Sequence, residues 1–93
     1  MLYAAMPGLL IEGGWRPACE PATEAEAALA AVIRRLLPEV APLLWNVRND
    51  LPARDMAAVV AERMRLLGPA RLWREVEALE LRLAAARADP AGC

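Results

Sequence analysis

The sequence predicts an all-α fold, a small bundle of three to four helices behind an irregular N-terminal arm. Two observations predict it. Apolar residues recur at helical spacing from residue 23 onward, and Pro and Gly residues are concentrated before that point and between the periodic segments. At 93 residues the chain is one domain at most. The predicted parts are an arm over residues 1–22, a bundle over 23–89 and a flexible tail over 90–93, with helices over residues 24–37, 38–48, 52–67 and 69–88.

The N-terminal arm is rich in residues that break helices and favour turns. Between them, residues 8–12 fit one short extended strand, which would lie across the helices or pair with another chain. We expect the arm to be ordered, because its apolar side chains would be costly to leave in water. The turn-forming residues are Pro7, Gly8, Gly13, Gly14, Pro17 and Pro21, and the apolar ones are Leu9, Leu10, Ile11 and Trp15.

Thr23 begins the first predicted helix with a capping box, in which its hydroxyl accepts from the Glu26 amide and Glu26 reaches back to the N-cap amide. The apolar stripe that follows continues past Pro38 and Pro42, which both point away from it. Either one helix kinks at Pro38, or one helix ends at Leu37 and Pro38 begins the next. The unbroken stripe favours two nearly collinear helices. It consists of Leu29, Val32, Ile33, Leu36, Val40, Leu43, Leu44 and Val47.

A turn over residues 46–52 precedes the third predicted helix, which Asn49 or Asp50 would cap. Gly68 would end that helix in the left-handed conformation, and Pro69 would begin the last helix at its first position. Because the links are short, neighbouring helices should run antiparallel, and the last two should form an αα-hairpin. The apolar face of the third helix is Ala53, Met56, Val60, Met64 and Leu67, flanked by Val59 and Leu66.

The last predicted helix stops before Pro90 and carries apolar residues at 4-3-4 spacing, the narrow seam of a coiled-coil-like contact. Such a seam suits another helix, so it is a candidate protein interface. Outside it, Arg71 and Glu75 have the spacing of an intrahelical ion pair worth about 0.2–0.5 kcal/mol. The seam consists of Leu72, Val76, Leu79 and Leu83.

The composition removes most of the side chains that carry out catalysis. The chain has no Ser, Lys, His, Gln or Phe, and all its basic side chains are Arg. It therefore lacks a Ser-His-Asp triad, a Cys-His dyad, a Schiff-base Lys and a P-loop Lys. We predict no catalytic residue, no cofactor and no metal site. The acidic residues assigned to solvated polar faces are Glu24, Glu26, Glu62, Glu75, Glu77 and Glu80.

Charge and cysteine content predict a cytoplasmic protein. The net charge of −1 at pH 7 does not steer the chain to nucleic acid or to an anionic membrane. No apolar run approaches the roughly 18 residues of a membrane span, and the N-terminus is a poor signal peptide. Cys19 and Cys93 fit neither a zinc site nor a disulfide framework, so we expect two unpaired thiols in a reducing cytoplasm.

The tryptophans and one arginine are the candidate interface residues outside the seam. Trp15, Trp45 and Trp73 fit either core or rim packing, with the indole N–H bonded to a carbonyl or to water, or the anchoring of a partner. Arg63 points among apolar residues, so it must extend its charge to solvent, pair with an acid or meet a partner. The candidate interface comprises Trp45, Arg63, Leu72, Trp73, Val76, Leu79 and Leu83.

These observations favour a small, cytosolic, non-catalytic interaction protein that acts as an adaptor, an accessory subunit or an oligomerisation unit. Its partner would be a protein, either a second copy in a homo-oligomer or a larger subunit. The alternative is a small nucleic-acid-binding regulator with an Arg-rich helical hairpin, although the same arginines also fit a solvated face. No motif identifies a family. The candidate phosphate contacts are Arg54, Arg65, Arg71 and Arg74.

Overall fold

A computed structural model describes residues 14–89, and within that range all secondary-structure elements are helical. Helix α1 spans Glu24–Val40, α2 spans Ala53–Leu67 and α3 spans Trp73–Arg87. Two 3₁₀ turns, Ala41–Leu43 and Ala70–Leu72, follow α1 and precede α3. Each helix packs against the other two. The predicted all-α bundle is therefore confirmed, with three helices.

The predicted helix over residues 38–48 is wrong. Helix α1 continues through Pro38 and ends at Val40, because a proline in the last turn removes only one hydrogen bond of the helix. Pro42 then lacks the N–H that would reach the Pro38 carbonyl, and the chain tightens into the 3₁₀ turn Ala41–Leu43 and stops. Leu44 and Val47 are nevertheless buried, so they continue the apolar stripe from a non-helical connector.

Helix α1 begins with one of the two hydrogen bonds of the predicted capping box. The Glu26 amide donates to the Thr23 hydroxyl at 3.1 Å, as a capping box requires. The Glu26 carboxylate, however, accepts from the amide of Ala22 at 2.9 Å rather than from the N-cap amide. It is also fully buried, so the prediction of a solvated Glu26 is wrong.

Helices α1 and α2 run in the same direction, contrary to the expectation for neighbours. Their first turns meet through Glu26 and Arg54, and the end of α2 bonds to the residues that follow α1 through Arg63 and Leu43. This is possible because residues 41–52, without the predicted helix, form a connector long enough to return along the bundle. Helix α3 then runs antiparallel to both, as the αα-hairpin prediction required.

The hairpin between α2 and α3 turns at Gly68, but for a different reason from the one predicted. Gly68 has φ −81° and ψ 158°, an extended conformation and not a left-handed one. Its amide donates to the Met64 carbonyl at 3.0 Å. A Cβ atom added to Gly68 would lie 2.6 Å from that carbonyl oxygen, so the site requires glycine because the backbone approaches closely.

Most of the apolar residues predicted for the core are buried, but Leu67 is not. Leu67, assigned to the core face of α2, is 57% exposed, because it lies beyond the last layer of the core at the end of its helix. All four seam residues of the last helix are buried. The principal buried side chains are Leu29, Ile33, Leu36, Val40, Leu44, Met56, Val60, Met64, Leu72, Val76, Leu79 and Leu83.

The described part of the arm lies on the bundle. Trp15 is 4% exposed, and its indole N–H donates to the Leu51 carbonyl at 2.8 Å. The amides of Arg16 and Ala18 donate to carbonyls of the connector at 2.7 and 2.9 Å. The predicted strand over residues 8–12 lies outside the described residues.

Cys19 is disulfide-bonded, so the prediction of two unpaired thiols is wrong. The prediction used the spacing of the cysteines along the sequence, which fits no known disulfide framework. Spacing does not indicate which distant residues the fold brings together. Cys93, the second cysteine, lies outside the described residues. Among the described helices, none is both long enough and apolar enough to cross a membrane.

Candidate interaction surface

One end of the bundle exposes several large apolar side chains. In the described part of the chain, five such side chains are more than half exposed. Four of them lie where α1 and α2 end and α3 begins, and the fifth, Leu81, lies in the middle of α3. The four at the end, hereafter the apolar end, are Trp45, Leu66, Leu67 and Trp73.

Arg63 organises one side of the apolar end. Its guanidinium donates to the Leu43 carbonyl at 2.9 Å and to the Asn46 side-chain oxygen at 2.7 Å, and it lies 6.0 Å from the centre of the Trp45 ring. The charge is therefore bonded within the chain, although to a carbonyl and an amide and not to an acid. These contacts fix the connector, and with it Trp45, against the last turns of α2.

The three tryptophans occupy different environments. Trp15 is a core residue with a bonded indole N–H, the first of the two roles considered for these residues. Its ring also lies 4.8 Å from the Arg34 guanidinium. Trp45 and Trp73 expose 61% and 52% of their surface. Only these two are accessible to another molecule.

The four seam residues are not accessible to a partner in the folded chain. They are buried against α1 and α2, because a bundle of three helices needs the apolar stripe of every helix for its own core. This corrects the candidate interface at Leu72, Val76, Leu79 and Leu83. Trp45, Trp73 and the partly exposed Arg63 remain at the surface.

Two residues of the apolar end were missed by the sequence analysis, Leu66 and Leu67. Both were assigned to the buried side of α2 or its flank. Adjacent positions in a helix point about 100° apart, so two consecutive leucines cannot both lie on the centre of one face. Their position directly before Gly68-Pro69, where the chain turns away, was the signal that could have shown them as exposed.

Three of the four candidate phosphate-contacting arginines form ion pairs with acidic side chains. Arg54 lies 3.2 Å from Glu26, Arg65 lies 2.6 Å from Glu80, and Arg71 lies 3.2 Å from Glu39. Arg74 is exposed and forms no ion pair with the described residues. The expected local excess of positive charge is therefore largely matched by carboxylates from other parts of the fold.

Arg71 and Glu75 do not pair with each other as predicted, because each pairs with a residue of α1. Arg71 contacts Glu39 of α1, and Glu75 accepts from Arg35 of α1 at 2.8 Å. In the Arg65–Glu80 pair, the hydrogen bond lowers the pKa of the Glu80 carboxyl below its ordinary value and raises the pKa of the Arg65 guanidinium. Both side chains are solvent-exposed, so the stabilisation is screened by water and salt.

Two open grooves flank the helices, with volumes of about 650 and 790 Å³. The first lies between the arm and α1 and contains one carboxylate, that of Glu20. The second lies between α2 and α3, where Glu80 is paired with Arg65. Among the described residues that line them, neither groove brings a nucleophile next to a base.

Comparisons with models of protein families, with curated proteins and with solved structures find no match to this chain.

Proposed function

We propose that this chain is a small, non-catalytic protein–protein interaction module that contacts its partner through the apolar end. The observation that carries the proposal is the grouping of Trp45, Leu66, Leu67 and Trp73 at one end of the bundle. Single exposed apolar residues are ordinary on a protein surface. A group of large ones at one place is typical of a binding site.

The energetics support this role. Complete burial of a large apolar side chain contributes about 1.5–3 kcal/mol, and Trp is enriched among the residues that dominate binding energy. The apolar end is also held in place before binding. Leu66 and Leu67 are part of a helix, Trp73 begins one, and the bonds of Arg63 fix the connector that carries Trp45. A preorganised surface loses less conformational entropy on association.

The partner in this proposal is a protein, either a second copy of the chain or a larger subunit. A nucleic-acid partner has less support, because three of the four candidate arginines are paired with carboxylates and offer little uncompensated charge to phosphate. No cofactor and no catalytic residue enters the proposal.

Light scattering coupled to size-exclusion chromatography tests the proposal with a matched pair of variants. The double variant Leu66→Glu/Trp73→Glu places two charges on the apolar end. The control, Leu81→Glu, places a charge on the large exposed apolar residue that residues 14–89 carry outside the apolar end. If the partner is a second copy, the wild type and the control self-associate as concentration rises, and the double variant remains monomeric with an unchanged circular dichroism spectrum.

If the wild type is monomeric, the same variants are compared for co-purification with the subunit that the tagged wild type retains. The double variant should lose that subunit, and Leu81→Glu should keep it. Equal association of all three proteins would contradict the proposal.

A further inference from the structure

The groove between the arm and α1, about 650 Å³ in volume, combines an apolar floor with charged side chains. We propose that it binds a small monocarboxylic acid with an apolar body. The inference does not depend on the proposed function, because none of the described residues that line this groove belongs to the apolar end. The floor consists of Ala27, Ala30 and Ala31, and the charged residues are Arg16, Glu20 and Arg34.

The groove is formed before any ligand binds, because the arm is attached to the rest of the chain on both sides of it. Upstream, the amides of Arg16 and Ala18 donate to carbonyls of the connector at 2.7 and 2.9 Å. Downstream, the amide of Ala22 donates to the Glu26 carboxylate at 2.9 Å. Between these attachments the arm forms one wall of the groove, and α1 forms the other. A preformed site loses less conformational entropy on binding.

Arg34 holds its guanidinium in a fixed position at the groove. Its Cζ atom lies 4.8 Å from the centre of the Trp15 ring, and its Nη1 donates to the Trp15 carbonyl at 3.4 Å. Trp15 is itself buried, and its indole N–H is bonded to the Leu51 carbonyl. A guanidinium stacked on an aromatic face keeps its other N–H donors available. Arg34 can therefore receive a carboxylate in the bidentate geometry that suits both groups.

The charges along the groove favour a ligand with a single negative charge. Arg16 and Arg34 are exposed, and neither forms an ion pair with another residue of the range 14–89. Glu20 is also exposed and unpaired within that range, so two arginines and one glutamate leave one positive charge in excess. A monocarboxylate neutralises this excess. A phosphate dianion would exceed it and would be repelled by Glu20.

The floor of the groove suits the apolar body of such an acid. Ala27, Ala30 and Ala31 have, with Arg34, the i, i+3, i+4 and i+7 spacing of one helix face. Their methyl groups leave room beside the guanidinium, and the volume of the groove lies within the range of about 300–1,000 Å³ for small-molecule sites. Because the groove is open to solvent on one side, each added methylene of the acid should tighten binding about two- to fourfold.

Nuclear magnetic resonance titration of the full-length protein at pH 7 tests the site, with sodium hexanoate as the probe. Hexanoate should shift the amide signals of Ala30 and Ala31 and the Nε–H signal of Arg34 to saturation, while the amide of Met64 in α2 remains unchanged. Butyrate, which is two methylenes shorter, should bind about 4- to 16-fold more weakly. The absence of saturable shifts, equally tight binding of 1-hexanol, or tighter binding of hexyl phosphate would overturn the proposal.

Variants of the groove locate the binding. Arg16→Gln and Arg34→Gln each remove one guanidinium and should weaken hexanoate binding about tenfold. Because Arg34 also contacts Trp15, a third variant leaves both arginines in place. Ala31→Leu fills the floor from an exposed helical position and should weaken binding at least about tenfold, with an unchanged circular dichroism spectrum.

The matched controls lie on the exposed surface of α3, outside the groove. Arg82→Gln and Ala85→Leu make the same changes there and should bind hexanoate as the wild type does. If Arg16→Gln or Ala31→Leu also bound hexanoate as tightly as the wild type, the proposal would be overturned, whatever shifts the wild type shows.

Discussion

The carboxylate of Glu26 lies 3.2 Å from the guanidinium of Arg54, inside the bundle at the point where α1 and α2 begin. The Glu26 side chain is 1% exposed and that of Arg54 is 20% exposed. Arg54 also donates to the Asp89 carbonyl, so one ion pair joins the starts of two helices to the end of the third. The buried Nε of Arg54 makes no hydrogen bond with the described residues, and its attraction to Glu26 is Coulombic.

Removal of Glu26 should destabilise the fold strongly. The variant Glu26→Ala leaves Arg54 partly buried without its counter-charge and also deletes the acceptor of the Ala22 amide. We expect the free energy of unfolding to fall by about 3–5 kcal/mol, measured by urea denaturation at pH 7.

The matched control is Glu24→Ala, which removes an exposed carboxylate from the same turn of α1 and should change stability by at most about 0.5 kcal/mol. The double variant Glu26→Leu/Arg54→Met replaces the pair with apolar groups and should recover much of the loss. Similar effects for Glu24→Ala and Glu26→Ala would show that the pair does not join the helices.

Replacement of Gly68 by any other residue should lower the stability of the fold, whatever the side chain. The variants Gly68→Ala and Gly68→Asn should each lose at least about 1 kcal/mol of stability, because both introduce a Cβ at 2.6 Å from the Met64 oxygen. Thermal denaturation measures both.

Gly14 provides the contrast, since it has φ +72° and open space around it. There Asn should be tolerated better than Ala, as left-handed positions allow. If Asn also proved better than Ala at position 68, the conformation and not the close approach would explain that glycine.

Arg63 should be difficult to replace, even by Lys. The variant Arg63→Ala loses two charge-assisted hydrogen bonds to the connector, and we expect a loss of about 2 kcal/mol in the free energy of unfolding. Arg63→Lys should recover little, because one ammonium group cannot reproduce the planar fork that reaches both oxygens.

Arg74→Ala is the control for Arg63, because Arg74 is exposed and has no ion pair among residues 14–89. It should change stability by at most about 0.5 kcal/mol. Full recovery by Arg63→Lys would indicate that only the charge at this position matters.

The Arg65–Glu80 pair predicts a small dependence of stability on pH. Because the pKa of Glu80 is lower in the folded chain than its ordinary value, the pair stabilises the fold above the unfolded-state pKa of about 4.3. That contribution is lost as the pH falls through the folded-state pKa.

The variant Glu80→Gln should therefore be slightly less stable than the wild type at pH 7 and equal to it in acid. The difference at pH 7 should shrink in 1 M salt, where the pair is screened. Urea denaturation at both pH values measures it, and a difference that persists unchanged in acid would mean that Glu80 acts through packing and not through its charge.

Local patterns predicted much of this fold. The Thr23 cap, the turn at Gly68-Pro69 and the buried faces of the helices all depend on residues within a few positions of one another. The prediction of a helix over residues 38–48 was wrong because apolar spacing indicates which residues are buried and does not indicate the backbone conformation that carries them. Leu44 and Val47 are buried at helical spacing without being in a helix.

Features that depend on distant residues could not be predicted. Glu26 was assigned to solvent because its buried partner, Arg54, belongs to another helix. The seam of α3 was assigned to a partner because nothing in its spacing distinguishes the chain's own helices from those of another protein. Which large apolar side chains stay exposed at the apolar end depends on which ones the bundle buries in its own core, and the spacing of the residues does not show this.

Site-specific photo-crosslinking in the source cells tests the central claim most directly. A photoreactive residue replaces Leu67 at the apolar end or, as the control, the exposed Ala85 on α3. We predict that position 67 crosslinks to one defined protein, a second copy or a larger subunit, that position 85 does not, and that Leu66→Glu/Trp73→Glu abolishes the product. Absence of a crosslink at position 67, or equal crosslinking at both positions, would contradict an interaction through this surface.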